Sequence, residues 1–128
     1  MTQQTAEPSY ILIAEDEPIN FMLLQKMLEK FGYPVIWAKN GQEAVEHCAS
    51  NSAIELVLMD IRMPIMDGLE ATRQIRTLDP KLPIYAVTAY TLSNEKEKCA
   101  EAGASGFLSK PVRPSELADV VLSIKSIK

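Results

Sequence analysis

Short unbroken apolar runs, each closing on a polar residue, constrain this chain more than anything else in it. Tyr10-Ile11-Leu12-Ile13-Ala14 runs into Glu15-Asp16, Leu56-Val57-Leu58-Met59 into Asp60, Ile84-Tyr85-Ala86-Val87 into Thr88, and Phe107-Leu108-Ser109 into Lys110. A fifth run, Val35-Ile36-Trp37-Ala38, ends at Lys39 and is read as carrying no chemistry. Strands that are continuously apolar rather than alternating belong to parallel sheets covered on both faces. In such sheets the strand ends along one edge converge, and ligands sit there. Three carboxylates, a hydroxyl and an ammonium are therefore expected to share one crevice, a layout suited to a divalent cation and a phosphoryl group.

A helical stretch follows each run. Pro18 to Lys30 sets Leu24, Leu28 and Phe31 at helical spacing, with Gly32 placed to end the helix in a left-handed conformation. Asn40-Gly41-Gln42-Glu43 has capping-box spacing ahead of Ala44, Val45 and Cys48. Asp67-Gly68-Leu69-Glu70 repeats that spacing and opens a helix expected to turn Leu69, Thr72, Ile75 and Leu78 inward before Asp79-Pro80 closes it. Ser93 to Ala102 offers only Cys99 and Ala102 as an apolar face, so it should be the least firmly docked helix. The last helix starts near Pro114 and buries Leu117, Val121 and Ile124.

Five strand-helix units predict an α/β fold, a doubly wound three-layer sandwich with five parallel strands and five helices. Periodicity does not fix the strand order; 2-1-3-4-5, the flavodoxin-like order, is the usual one for five such units. At 128 residues and 47% hydrophobic content, one packed core accounts for residues 9–128, and the polar residues 1–8 read as a flexible tail. No second domain is expected.

Composition narrows the partners. Lys and Arg total 13 against 17 Asp and Glu, a net charge of −4, which argues against direct binding to nucleic acid or anionic membrane and for protein partners. Cys48 and Cys99 lack disulfide or metal spacing and read as thiols of a reducing cytoplasm. Residues 1–7 lack the apolar core of a signal peptide, and no run reaches membrane-spanning length.

Carboxylates crowded at one edge repel one another. With an effective dielectric of about 20, two unit charges about 4 Å apart interact by about 4 kcal/mol, so a proton or a cation must relieve the cluster. Glu15, Asp16 and Asp60 offer oxygens without the histidine or thiolate that favours zinc, which suits Mg²⁺. A carboxylate can also attack phosphorus to form an aspartyl phosphate, with positive charge offsetting that of the equatorial oxygens. Lys110 is the candidate cation, and Thr88 the candidate hydroxyl donor to a phosphate oxygen.

These residues carry a resemblance. From Tyr10 to about Ile124 the chain resembles a response-regulator receiver domain of two-component signalling. The motifs are Ala14-Glu15-Asp16-Glu17-Pro18, Met59-Asp60-Ile61-Arg62-Met63-Pro64 followed by Asp67-Gly68, Val87-Thr88-Ala89, and Leu108-Ser109-Lys110-Pro111. The resemblance implies Asp60 as phosphoacceptor, Asp16 as a direct Mg²⁺ ligand, Glu15 acting through a coordinated water, and the backbone carbonyl of Arg62 as a further ligand. It implies that Thr88, Ala89 and Lys110 bind the phosphoryl group and that Lys110-Pro111 is cis. Phe107 matches an aromatic switch position, and Arg62 and Tyr90 flank the path of the hydrolytic water, so their bulk implies slow self-dephosphorylation. The family's acidic pair is most often two Asp residues; Glu15 departs from that. Glu15-Asp16 with Glu17-Pro18-Ile19-Asn20 and Thr88-Ala89-Tyr90 is closest to the receivers of hybrid histidine kinases and phosphorelays.

The resemblance further implies a histidine kinase or histidine phosphotransfer protein as donor, and no enzymatic role beyond reactions of its own Asp60; the chain is expected to be a stand-alone receiver, read out by a downstream protein or by onward transfer. The competing reading is a haloacid-dehalogenase-like phosphohydrolase, but that family places a second Asp two residues after the nucleophile, where this chain has Arg62. A mononucleotide-binding module would need glycines where Glu15-Asp16-Glu17-Pro18 stands. His47 reads as a surface histidine and Trp37 as a strand-end packing residue.

Overall fold

A computed structural model describes residues 9–89 and 93–126. The strands are β1 (Tyr10–Ala14), β2 (Val35–Ala38), β3 (Ile54–Asp60), β4 (Ile84–Thr88) and β5 (Gly106–Ser109). The helices are α1 (Pro18–Leu28), α2 (Gly41–Ser50), α3 (Gly68–Leu78), α4 (Ser93–Ala102) and α5 (Pro114–Ser126), alternating with the strands throughout. All pairs are parallel and the sheet order is β2-β1-β3-β4-β5.

Two faces of the sheet carry separate cores because successive strand side chains point to opposite sides. Ile11, Ile13, Leu56 and Leu58 meet Phe21, Leu24 and Leu28 of α1 and Leu117, Val120, Val121 and Ile124 of α5. Leu12, Ala14, Val57 and Met59 meet Ala44 of α2 and Ala71 and Ile75 of α3. A smaller cluster of Ile61, Ala86 and Cys99 holds α4. The three-layer sandwich follows, with α1 and α5 on one side and α2, α3 and α4 on the other. A fully buried Leu or Ile is worth roughly 1.5–3 kcal/mol. With Cys99 and Ala102 as its buried side chains, α4 gains far less from docking than α5 does.

The start and stop signals act largely as the sequence implies. A 3₁₀ turn, Glu29–Phe31, extends α1 to Gly32, whose φ of 79° is left-handed. Asn40 Oδ1 accepts the Glu43 N–H at 2.9 Å, while the Glu43 carboxylate reaches back to Lys39 N–H, one residue before the cap. Asp67 Oδ1 caps α3 at Glu70 N, but the Glu70 side chain turns to Arg73 and Gln74, so this box is one-sided. One inward assignment is corrected. Leu78, the last residue of α3, is 52% exposed where the chain turns extended at Asp79, and the buried stripe is instead Gly68, Ala71, Thr72 and Ile75. Thr72 is tolerated there because its hydroxyl donates to Gly68 O at 2.7 Å. Among the described residues no helix is long and apolar enough to cross a membrane. The expected tail, residues 1–8, lies outside the described residues.

Candidate functional site

Strand register brings the chemistry together. Ala14 pairs with Met59, Asp60 with Val87, and Thr88 with Ser109, so Glu15, Asp60, Thr88 and Lys110 stand in a row along one sheet edge. The Lys110 N–H donates to Thr88 O at 2.8 Å, carrying the β4–β5 ladder one residue past the strand. A cleft of about 270 Å³ opens there, lined by Glu15, Asp16, Glu17, Asp60, Arg62, Thr88, Ala89 and Lys110. From Asp16 and Arg62 a second cleft, of about 490 Å³, runs past Met63 and Pro64 to Glu95 and Lys98 of α4.

The carboxylates are unusual in their burial: Glu15 is 1% exposed and Asp60 5%. Lys110 Nζ lies 3.2 Å from Glu15 Oε1 and 3.3 Å from Asp60 Oδ2. The other oxygens are held by backbone, with Glu17 N–H donating to Glu15 Oε2 at 3.1 Å and Arg62 N–H to Asp60 Oδ1 at 3.2 Å. Burial, then the charge of Glu15, pushes the Asp60 carboxyl up to about 6, against the opposing pull of Lys110 and the Arg62 N–H. Burial works to lower the Lys110 ammonium, but Asp60 and Glu15 together outweigh it and raise its pKa. One ammonium thus only partly relieves the cluster.

Glu15, Asp16 and Asp60 each present an oxygen within 4.8 Å of the others. An all-oxygen, anionic set this tight, with a proton held abnormally firmly on Asp60, fits a hard divalent cation. The residues expected at the site are therefore gathered: the acidic trio, Thr88 at 1% exposure, Ala89 exposed at the rim, and Lys110, which is followed by a cis Lys110-Pro111 bond. Phe107 stands behind the cleft, half-buried against Ile61, Ala86 and Cys99, with Lys96 Nζ 5.4 Å from its ring. Tyr90 lies outside the described residues. His47 does not line the cleft and is half-buried on α2.

Three features escaped the sequence. The end of β2 does take part, because Trp37 Nε1 donates to Glu15 O at 2.7 Å while its ring stacks on Phe21 at 4.3 Å. Gly68 abuts the backbone of Asp60 and Ile61, where a Cβ has no room, and its N–H closes on Ile61 O at 2.9 Å. Arg76 of α3 donates to the carbonyls of Gly103, Leu82 and Asp79, tying down the α4–β5 connection. Only Gly68 left a trace in the sequence, as the residue following a helix cap.

Known proteins share this arrangement. "Hybrid signal transduction histidine kinase I" of Dictyostelium discoideum is 38% identical over 122 residues, covering 89% of this chain but 7% of the kinase. The chain spans about a tenth of the length of such curated relatives, 7 to 13%. Among solved structures, the receiver domain of the sensor histidine kinase PA1611 from Pseudomonas aeruginosa, with magnesium coordinated in its active-site cleft, superposes with a TM-score of 0.83 at 35% identity, covering 91% of this chain and 96% of that one. The receiver domain of Ssk1 from Saccharomyces cerevisiae, solved with the histidine phosphotransfer protein Ypd1, gives 0.79 at 31% identity, covering 90% of this chain and 87% of the solved chain. The family model for the response regulator receiver domain matches residues 11–122. That match takes in the five strands but for Tyr10, and every strand end that builds the cleft, and the chain belongs to the response regulator receiver domain family.

Proposed function

We propose that Asp60 accepts a phosphoryl group from a phosphohistidine and that this changes a protein-binding surface. The observation that carries the reading is the split environment of Asp60: Oδ1 is held by the Arg62 N–H, while Oδ2 faces Lys110 across the cleft. Oδ2 then attacks phosphorus. The new O–P bond forms as the P–N bond to the histidine breaks, and the imidazole leaves with the electron pair and takes up a proton from solvent. Lys110 would follow the charge from Asp60 Oδ2 onto a phosphoryl oxygen while keeping Glu15, and Thr88 and the Ala89 N–H, which line the same cleft, would donate to the other oxygens. Mg²⁺ would be held by Asp16, Asp60 and the Arg62 carbonyl, with Glu15 acting through water, and when bound it would neutralise carboxylate and phosphoryl charge together.

The phosphoryl donor, on this reading, is a histidine kinase or a histidine phosphotransfer protein; the Ssk1–Ypd1 complex supports the second. The chain acts as a stoichiometric acceptor rather than an enzyme. Its readout is a downstream protein or onward transfer, and unpaired thiols at Cys48 and Cys99 agree with a cytoplasmic setting. By the family resemblance, the bulk of the side chains at positions 62 and 90, Arg62 and Tyr90, would make self-dephosphorylation slow. Acetyl phosphate with Mg²⁺ tests the acceptor: mass spectrometry should show one added, acid-labile phosphoryl group, absent from Asp60→Asn. Undiminished labelling of that variant would refute the assignment.

A further inference from the structure

Three successive peptide units around the acidic pair are each clamped by a hydrogen bond. The Glu15 N–H donates to Ala38 O at 2.9 Å, and the Glu17 N–H to Glu15 Oε2 at 3.1 Å. Between them, the Glu15 carbonyl accepts from Trp37 Nε1 at 2.7 Å. Strand pairing has ended by this point: Ala14 and Ala38 are the last partners of β1 and β2, and Asn40 turns away to cap α2. An indole takes the place of a ladder donor.

A peptide unit is planar, so the Glu15 carbonyl oxygen, the Asp16 nitrogen and the Asp16 Cα move together. Holding the oxygen therefore sets the direction in which Asp16 leaves the strand. The indole itself is held. It lies parallel to the buried Phe21 ring, 4.3 Å between centroids and 8° between planes, with Lys39 Nζ 5.1 Å from its own ring. Phe21 in turn bonds back through its N–H to Glu17 O at 3.0 Å, so strand end, loop and first helical turn close on one side chain. Packing alone would be served by any large apolar ring; a short N–H donation to the main chain of a buried acidic residue would not.

We infer that Trp37 is a positioning residue for the metal site, its indole N–H fixing the Glu15–Asp16 peptide and thereby the placement of the Asp16 carboxylate. This rests on the proposed Mg²⁺ site, and the test separates the two. Trp37 is the single tryptophan of the chain, so analogues supplied to a tryptophan auxotroph enter at that position alone. β-(3-Benzothienyl)alanine keeps the bicyclic ring but replaces N–H by sulfur, while 5-fluorotryptophan keeps the N–H.

Mg²⁺ titrations by calorimetry should give the fluorotryptophan protein an affinity within about twofold of wild type. The sulfur analogue should bind about threefold to tenfold more weakly, as expected for one lost neutral hydrogen bond. Trp37→Phe, which keeps a ring against Phe21, should show the same weakening and serves if the analogue folds poorly. The ¹⁹F resonance of the fluorinated protein should shift with the calorimetric midpoint. Unchanged Mg²⁺ affinity on loss of the N–H, or a ¹⁹F signal indifferent to Mg²⁺, overturns the role of Trp37. Failure of the wild-type protein itself to bind Mg²⁺ overturns the metal site, and this inference with it.

Discussion

Lys110 Nζ lies 3.2 Å from Oε1 of Glu15, pairing residues 95 positions apart in sequence. The partner carboxylate is almost wholly buried, so the pair is not a surface ion pair of negligible worth. The ammonium also reaches Asp60, and the division of labour between cation and metal ligands becomes measurable. The ammonium takes Glu15 and Asp60 as its partners, while Asp16 completes the trio of carboxylate oxygens within 4.8 Å of one another.

Asp16→Ala should weaken Mg²⁺ binding at least about tenfold, since a direct carboxylate ligand is lost. Lys110→Ala should not weaken it, because removing a neighbouring positive charge favours a cation, yet phosphorylation should fall sharply. Calorimetry and acetyl phosphate labelling of both variants check this; equal Mg²⁺ affinity in wild type and Asp16→Ala would remove Asp16 from the metal site.

The Asp60 carboxyl, held at about 6 instead of the usual 3.8, gives a second prediction. Between those values the native state binds more protons than the unfolded chain, so in metal-free buffer stability should fall as pH rises from about 4 to about 6 and then level off. Asp60→Asn removes the buried charge. At pH 7 it should therefore be more stable than wild type by about 1–3 kcal/mol, the gap closing toward pH 4. Urea unfolding in EDTA across that range measures it; a gap that widens on acidification would reverse the sign of the argument.

Much of this was legible because it is local. The apolar runs and their polar ends placed Glu15, Asp16, Asp60, Thr88 and Lys110 on one edge once the sheet was taken as parallel. Gly32, Asn40, Asp67 and Pro114 set helix ends at their own positions. What stayed hidden depends on partners distant in sequence. Trp37 reads as packing until β2 lies beside β1, and nothing in the sequence sets Arg76 apart until Gly103 arrives against it. Leu78 satisfies the helical period, yet the period cannot say where the neighbouring layer stops.

Gly68 supplies a third prediction. Its N–H closes the β3–α3 loop on Ile61, and a Cβ there meets the backbone of Asp60 and Ile61, which cannot swing aside as a flexible side chain would. Gly68→Ala should cost about 1–3 kcal/mol through overpacking and, by displacing Asp60, should slow acetyl phosphate labelling as well. Chemical denaturation and labelling rates test both; a variant as stable and as reactive as wild type would mean that the loop absorbs the methyl group.

The last prediction concerns how phosphorylation is transmitted. Phe107 packs on Cys99 of α4 beneath Lys96, and α4 has little apolar surface holding it in place. Its far end is different: the Arg76 guanidinium makes two hydrogen bonds to Gly103 O, at 2.9 and 2.7 Å, and a third, at 2.7 Å, to Leu82 O. If Thr88 is drawn to the phosphoryl group and Phe107 repacks, α4 should move as a lever pinned at that end. A phosphate mimic such as beryllofluoride should then shift the amides of Ala89, Asn94 to Cys99 and Phe107 more than those of Gly103 to Ser105, as followed by NMR. Arg76→Ala should flatten the gradient by letting both ends move. Shifts confined to the loop after β1, or a gradient unchanged in Arg76→Ala, would mean that Phe107 is only core and that the pinned end plays no part in the switch.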